Sequence, residues 1–357
     1  MKKLLWLMTA CVLLVSFVGV SFAAAPVKMK TAWMDEHETF LVWYAKEKGW
    51  DKEEGLDLEL AYFDSGMAII DALSAGEWVM AGVGAVPAMM GNLRHDTYTV
   101  LAGNCEFMAN AVMVRPDSPI AKTKGYNKDY PDVYGDPKDV KGKNILCTPM
   151  SSAHFALSHW LRVLGLKDSD VTITDMTQAQ ALAAFSTGIG DVVVLWAPHM
   201  YYGKEKGWKV VSTPRSTNQR LPTDIIVDKK FADQNPELVA KFLRVYLRAV
   251  NMLQQEPLES LVPEYQRFFL EWLGNQYSAE LALTDLQTHP VFNYDEQLAL
   301  FDTSKGPSAI LQWHTKIARL FTENGHITAD DLKKVESAEY CTDKFLKMVQ
   351  LPIPPYR

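Results

Sequence analysis

Two stretches of this chain repeat one plan: "ALSAGEWVMAGVGAVP" at 72–87 and "AFSTGIGDVVVLWAPH" at 184–199. Each runs from a helix end through a Gly stop into a buried apolar strand, then into a Pro-containing turn. A unit that recurs so far along the chain implies two lobes of one α/β type rather than a single sheet. The flanking pattern agrees. Strand-like runs at 29–34, 56–63, 79–83, 99–102 and 111–114 alternate with helical patterns at 39–48 and after Ser65. A second series follows, with strands at 144–147, 171–174, 192–195 and 210–212. Leu157, Trp160, Leu161 and Leu164 fall on one face of a helix that Gly165 closes. Strands alternating with helices predict βαβ units and a mainly parallel sheet in each lobe, with the cleft at the carboxyl ends of the strands.

Lobe 1 is read as 27–115 plus 224–357 and lobe 2 as 116–223, with strand crossovers near 115 and 223. Residues 119–143 are rich in Lys, Asp, Tyr, Pro and Gly and read as a surface insertion without a core pattern. After 224–227 the chain turns helical. Pro236 suits a first helical turn, and further helices are expected around 258–273, 278–287, 294–301 and 306–323, packed back on lobe 1.

The first residues set the compartment. Lys2 and Lys3 precede an apolar run over 4–20, and Ser21-Phe22-Ala23 supplies small residues where a signal peptidase cuts. Residues 1–23 are therefore read as a cleaved leader and the protein as periplasmic; a retained anchor helix is the alternative. The formal net charge of −7, with both signs interspersed, argues against nucleic acid as a partner. Cys105, Cys147 and Cys341 match no zinc spacing. A Cys105–Cys147 disulfide is conceivable, but buried free thiols are the preferred reading, and neither metal nor cofactor is expected.

No catalytic constellation emerges. There is no G-x-S-x-G elbow, H-E-x-x-H, Walker loop or dinucleotide fingerprint. Ser152 and His154 are two apart at a helix start, which points them in different directions. Binding is better supported. Ser65, Ser151 and Ser152 stand at helix starts, where unpaired N–H groups and the dipole favour an oxyanion, although most such serines are simple N-caps. Trp196 at a strand end is either core packing or a ligand platform. Glu36, Glu106 and Asp224 follow strand ends without a matching Arg or Lys. They are either solvated surface or partners for a cationic group, and opposite the serines they would suit a zwitterion.

The run "AKEKGWDKEEGLDLELAYFDSGMAIIDALSAGEWVMAGVGAVPAM" resembles the extracytoplasmic solute-binding proteins of nitrate, sulfonate and taurine ABC importers, which share a superfamily with thiamine-precursor binders. "DVKGKNILCTPMSSAHFAL", "AFSTGIGDVVVLWAP" and "LPTDIIVDKKFADQNPELVAKFL" continue it in order, over 28 to about 255. The resemblance implies a two-lobed type II periplasmic binding fold closing on its ligand by a hinge. It implies a monomer that delivers a small anionic or zwitterionic, taurine- or sulfonate-like solute to a membrane permease. A thiamine-pyrimidine-like or nitrate-like ligand and a sensor role are the alternatives. The ligand shell would comprise Glu36, His37, Ser65, Gly66, Ala85, Val86, Ser151, Ser152, Ala153, His154, Trp196 and Asp224, joined by Glu106 from the residue reading. In it Ser151, Ser152 and His154 would hold the anionic end, and Glu36, Glu106 and Asp224 the cationic end. Three departures stand out: Asp64 before Ser65, Met150 before the serines, and the 119–143 insertion with the long helical tail after 255.

Overall fold

A computed structural model describes residues 25–337 and 339–357; the expected leader lies outside the described residues. Ten strands build two mixed sheets of five. In chain order they are β1 (Val27–Trp33), β2 (Leu56–Tyr62), β3 (Met80–Gly84), β4 (Thr97–Cys105), β5 (Asn110–Val114), β6 (Asn144–Cys147), β7 (Thr172–Asp175), β8 (Val192–Trp196), β9 (Lys209–Ser212) and β10 (Pro222–Asp228).

The first sheet has the order β2-β1-β3-β10-β4 and the second β7-β6-β8-β5-β9. The two orders are equivalent. In each, a parallel trio is followed by one antiparallel strand and a parallel edge strand. That antiparallel strand comes from the crossing chain, β10 in lobe 1 and β5 in lobe 2. The repeat at 72–87 and 184–199 is thus a repeat of structure. The first crossover, however, falls between β4 and β5 at 106–109 rather than near 115, because β5 pairs with β8 and β9 and not with the lobe 1 sheet. Its apolar run reads the same in either sheet.

The 119–143 segment is not merely surface. Ile120, Val133 and Val140 are buried in the lobe 2 core, and Trp160 Nε1–H donates to Tyr134 O at 2.8 Å. Each such side chain contributes roughly 1.5–3 kcal/mol through removal from water. Cys105 and Cys147 are free buried thiols on different sheets.

The C-terminal helices follow the expected pattern closely: Pro236–Gln255, Leu258–Leu273, Ala279–Thr288, Tyr294–Phe301, Ala309–Glu323 and, in addition, Ala329–Ser337. No helix among the described residues is long and apolar enough to cross a membrane. The Leu258–Leu273 helix sets Tyr265 against Phe40 (4.7 Å between rings, edge to face) and so packs on the first helix, His37–Glu47. The tail also covers the open edge of β4, which would otherwise present unpaired backbone groups. The Gln297 amide donates to Ala102 O (2.7 Å) and accepts from Ala102 N–H (3.0 Å), as a strand would. Near the carboxyl end of β4, Cys105 N–H donates to Pro290 O at 3.1 Å.

The tail is not confined to lobe 1. Ile317, Ala318 and Phe321 join Ala85, Val86 and Met89 of lobe 1 and Phe155 of lobe 2 in one apolar cluster, so the Ala309–Glu323 helix straddles the interlobe junction.

Candidate functional site

The strand ends of the two lobes meet. A Cβ on Gly84, the last residue of β3, would stand 2.4 Å from Ser152 Oγ at the start of the lobe 2 helix Ser152–Val163. Only a residue without a side chain permits that approach. His199 Nδ1 of lobe 2 lies 3.7 Å from Asp35 Oδ2 of lobe 1. The lobes are closed on each other.

Three carboxyls share the floor between them. Glu36 is the N-cap of His37–Glu47, yet its side chain makes no capping bond. Its nearest charged neighbours are Glu38 and Glu106. Glu38 Oε2 accepts from Asn104 Nδ2 (3.1 Å), and Glu106 Oε2 from Asn110 Nδ2 (3.1 Å). All three are buried. Burial, and then the charges of Glu38 and Glu106, pushes Glu36 well above the usual carboxylate range. Burial raises Glu38 too, and burial with the Glu38 charge lifts Glu106 to about 7. Like charges this close, away from water, do not all ionise.

A histidine layer stands beside them. His37 and His289 stack with ring centres 4.9 Å apart and 7° between planes. Tyr265 Oη donates its one proton to Asp285 Oδ2 (3.1 Å), so it accepts from His37 Nδ1–H (3.0 Å). That fixes the tautomer and leaves His37 Nε2 a lone pair facing the site. Burial and then the His289 charge hold His37 well below its usual pKa, so it is neutral. His289 also loses to burial, but the Asp285 charge and hydrogen bonds and the Glu106 charge outweigh it and lift His289 to about 9.

Five buried acceptors around this floor have no partner: Glu36 Oε2, His37 Nε2, Glu38 Oε1, Asn104 Oδ1 and Asn110 Oδ1; on the lobe 2 side Trp196 Nε1 is an unpaired donor. No Lys or Arg side chain pairs with Glu36, Glu38 or Glu106 among the described residues.

The other expected residues are placed as follows. Ser65 caps its helix by accepting from Ala68 N–H (3.2 Å), and Gly66 packs on Pro87. Ala85 and Val86 open the helix Ala85–His95 and sit in the junction cluster; Ala153 lies in the lobe 2 core. Ser151 is spent locally, accepting from His154 N–H (3.3 Å) and donating to Thr148 O (2.6 Å). Ser152 reaches lobe 1, where its Oγ lies against Gly84.

Two expectations need correction. Asp224 does not join the floor. Alternate residues of β10 face opposite sides of the sheet: Thr223 turns to Asn104, while Asp224 Oδ2 accepts from His314 Nε2 at 2.7 Å under the Ala309–Glu323 helix. His154 does not face the cleft either. Its Nε2 lies 3.0 Å from Asp168 Oδ2, which also takes His326 Nε2 (2.7 Å) and Ser158 Oγ (2.8 Å). His154, Asp168 and His326 gather closely enough to suggest a metal. However, Met150 N–H donates into His154 Nδ1 (3.1 Å), so Nε2 carries the proton and has no lone pair for an ion. The cluster is a hydrogen-bonded hub between lobe 2 and the tail.

The sequence reading passed over Asn104 and Asn110, which flank Glu106 in "NCEFMAN", and Glu38 as a site residue. It had no means of finding His289, Asp285 or Tyr265, which arrive more than two hundred residues after His37.

Two equivalent lobes closed on unpaired polar atoms at their strand ends define a solute-binding protein. Residues 37–260 match the family described as NMT1/THI5 like, well over half the chain, and the chain belongs to that family. It is 28% identical over 289 residues (78% of this chain, 80% of the relative) to a putative ABC transporter periplasmic binding protein of Brachyspira hyodysenteriae. It is 27% identical over 235 residues (65% and 68%) to the taurine-binding periplasmic protein of Escherichia coli. The fold matches the periplasmic aliphatic sulphonate binding protein of Escherichia coli (TM-score 0.66, 19% identity, 87% of this chain and 98% of that one). It also matches the periplasmic nitrate-binding protein of Synechocystis PCC 6803 (TM-score 0.70, 14% identity, 92% and 91%). The matched relatives are binding proteins, not enzymes.

Proposed function

We propose that this protein captures a small amine-bearing solute, cationic or zwitterionic, in the interlobe cleft and delivers it as a monomer, in the periplasm, to the permease of an ABC importer. The observation that carries the reading is the set of five unpaired buried acceptors with no neighbouring ammonium or guanidinium. A buried polar atom left without a partner costs about 1–3 kcal/mol. A solute bearing N–H donors and positive charge satisfies several at once and lets the carboxyls give up their protons. Taurine, which the Escherichia coli relative binds by name, carries both an amine and a sulfonate and falls within the proposed class.

A thermal-shift panel tests the class. Its arms are ethylamine and putrescine, taurine and β-alanine, and the amine-free anions ethanesulfonate and nitrate. Stabilisation confined to amine-bearing members is expected. Stabilisation by ethanesulfonate or nitrate alone, or by no amine at all, overturns the reading.

A further inference from the structure

We propose that His289, carried by the C-terminal helical tail, is the anion-binding residue of the cleft: its Nε2–H receives the acid group of a zwitterionic solute whose amine lies against Glu36 and Glu38. The inference rests on the amine-bearing solute argued above and narrows it to a zwitterion. His289 lies outside the stretch that matches the family, 37–260, so nothing in that match gives it a part in the site.

The placement of His289 is built. It caps the Ala279–Thr288 helix, and Pro290, the next residue, accepts the backbone N–H of Cys105 at the end of β4 (3.1 Å). His289 is thereby held beside Glu106, which follows Cys105 directly. Its ring lies flat on His37. Nδ1–H donates to Asp285 O at 2.9 Å, with Asp285 Oδ1 at 3.0 Å, and Asp285 is itself fixed by the hydroxyls of Tyr265 (3.1 Å) and Tyr277 (3.0 Å). Asp285 thus favours the imidazolium, and no protein atom among the described residues pairs with Nε2. The charged groups around the ring are Asp285, Glu106 and Glu38; the neutral His37 covers its face. Among the described residues His289 is the cation that stands beside Glu38, Glu106 and the unpaired acceptors of this floor. A short solute with an amine at one end and an acid at the other bridges the two, and sulfonate and carboxylate share the chemistry Nε2–H recognises.

The experiment pairs calorimetry with 15N histidine spectra. Taurine and β-alanine are the zwitterionic probes, separating sulfonate from carboxylate, and ethylamine is the probe without an acid group. In the wild-type protein, a zwitterion is expected to move the His289 Nε2 resonance while ethylamine leaves it in place. His289→Gln is expected to lower zwitterion affinity at least tenfold and ethylamine affinity less than threefold, and His289→Lys to recover part of the loss. Zwitterion binding that leaves the Nε2 resonance unmoved, or His289→Gln weakening both probe classes equally, overturns the inference and leaves the amine-bearing reading intact. Failure of every amine-bearing probe to bind the wild-type protein overturns both.

Discussion

Asp224 Oδ2 and His314 Nε2 lie 2.7 Å apart with both side chains fully buried, and His314 Nδ1 meets Tyr340 Oη at 2.8 Å. The pair ties the middle of the lobe 1 sheet to the tail. Breaking a buried pair by removing one partner costs about 3–5 kcal/mol, because the other is left uncompensated. Asp224→Ala is therefore expected to lower stability on that scale in urea denaturation, while ligand affinity, measured where the variant is folded, stays within about threefold. A selective loss of affinity at unchanged stability would return Asp224 to the cleft.

Gly84 governs closure. Its φ of −62° suits alanine, so the only objection to a side chain there is Ser152 Oγ, 2.4 Å from the added Cβ. Gly84→Ala is expected to hold the lobes apart and weaken binding at least tenfold with little change in stability. The Ser152 Cβ is 3.8 Å away, so adding Ser152→Ala restores much of the closure. Small-angle scattering reads the lobe separation; a closed Gly84→Ala protein would refute this account of the junction.

The Asp168 carboxylate joins His154, Ser158 and His326, and the backbone N–H of Asp168 donates to Asn324 Oδ1 just past the C-terminal end of the tail's straddling helix. Burial alone would raise its pKa, but the hydrogen bonds from His154 and His326 outweigh it and hold it far below the usual carboxylate range. A depressed acid contributes stability that is present above its unfolded value near 4 and lost as pH falls toward the folded value. Asp168→Asn is expected to narrow the difference in melting temperature between pH 7 and pH 3.5. An unchanged difference would show that the hub adds nothing to stability.

Glu106 and His289 act in the opposite sense. Glu106, raised to about 7, keeps a proton that the unfolded chain releases near 4.5; His289, raised to about 9, keeps one released near 6.5. Wherever the folded state binds more protons, stability falls as pH rises. His37, His159 and His199, held below their usual range by burial, pull the other way between about pH 5 and 6.5. The contribution of Glu106 is therefore read as a difference: relative to the wild-type protein, Glu106→Gln is expected to gain melting temperature as pH rises from about 5 to 7. Melting temperatures of both proteins across that range check it, and a wild-type-minus-variant difference that does not change with pH would contradict the protonated floor.

Much of the architecture was legible because local patterns carried it. The Gly-stop, apolar strand and Pro turn at 72–87 and 184–199 announced two lobes, and the apolar stripes of the tail placed the helices Leu258–Leu273 and Tyr294–Phe301 within a residue. Glu36, His37, Glu106 and Ser152 were readable as strand-end residues, which is where the cleft had to be. Asp224 was misplaced because a one-residue step along a strand changes faces, and sequence does not say which face of β10 looks at the cleft. His154 was misplaced because its partner His326 comes from the tail. His289 was invisible for the same reason: its role depends on Cys105 pairing with Pro290, a contact that no spacing encodes.

The most direct test of the central claim is titration calorimetry of two matched pairs, taurine with ethanesulfonate and β-alanine with propionate, whose members differ only in the amine. If the unpaired acceptors of Glu36 and Glu38 await an ammonium group, the amine strengthens binding at least tenfold in one pair or both. Equal or tighter binding of the amine-free members would contradict it.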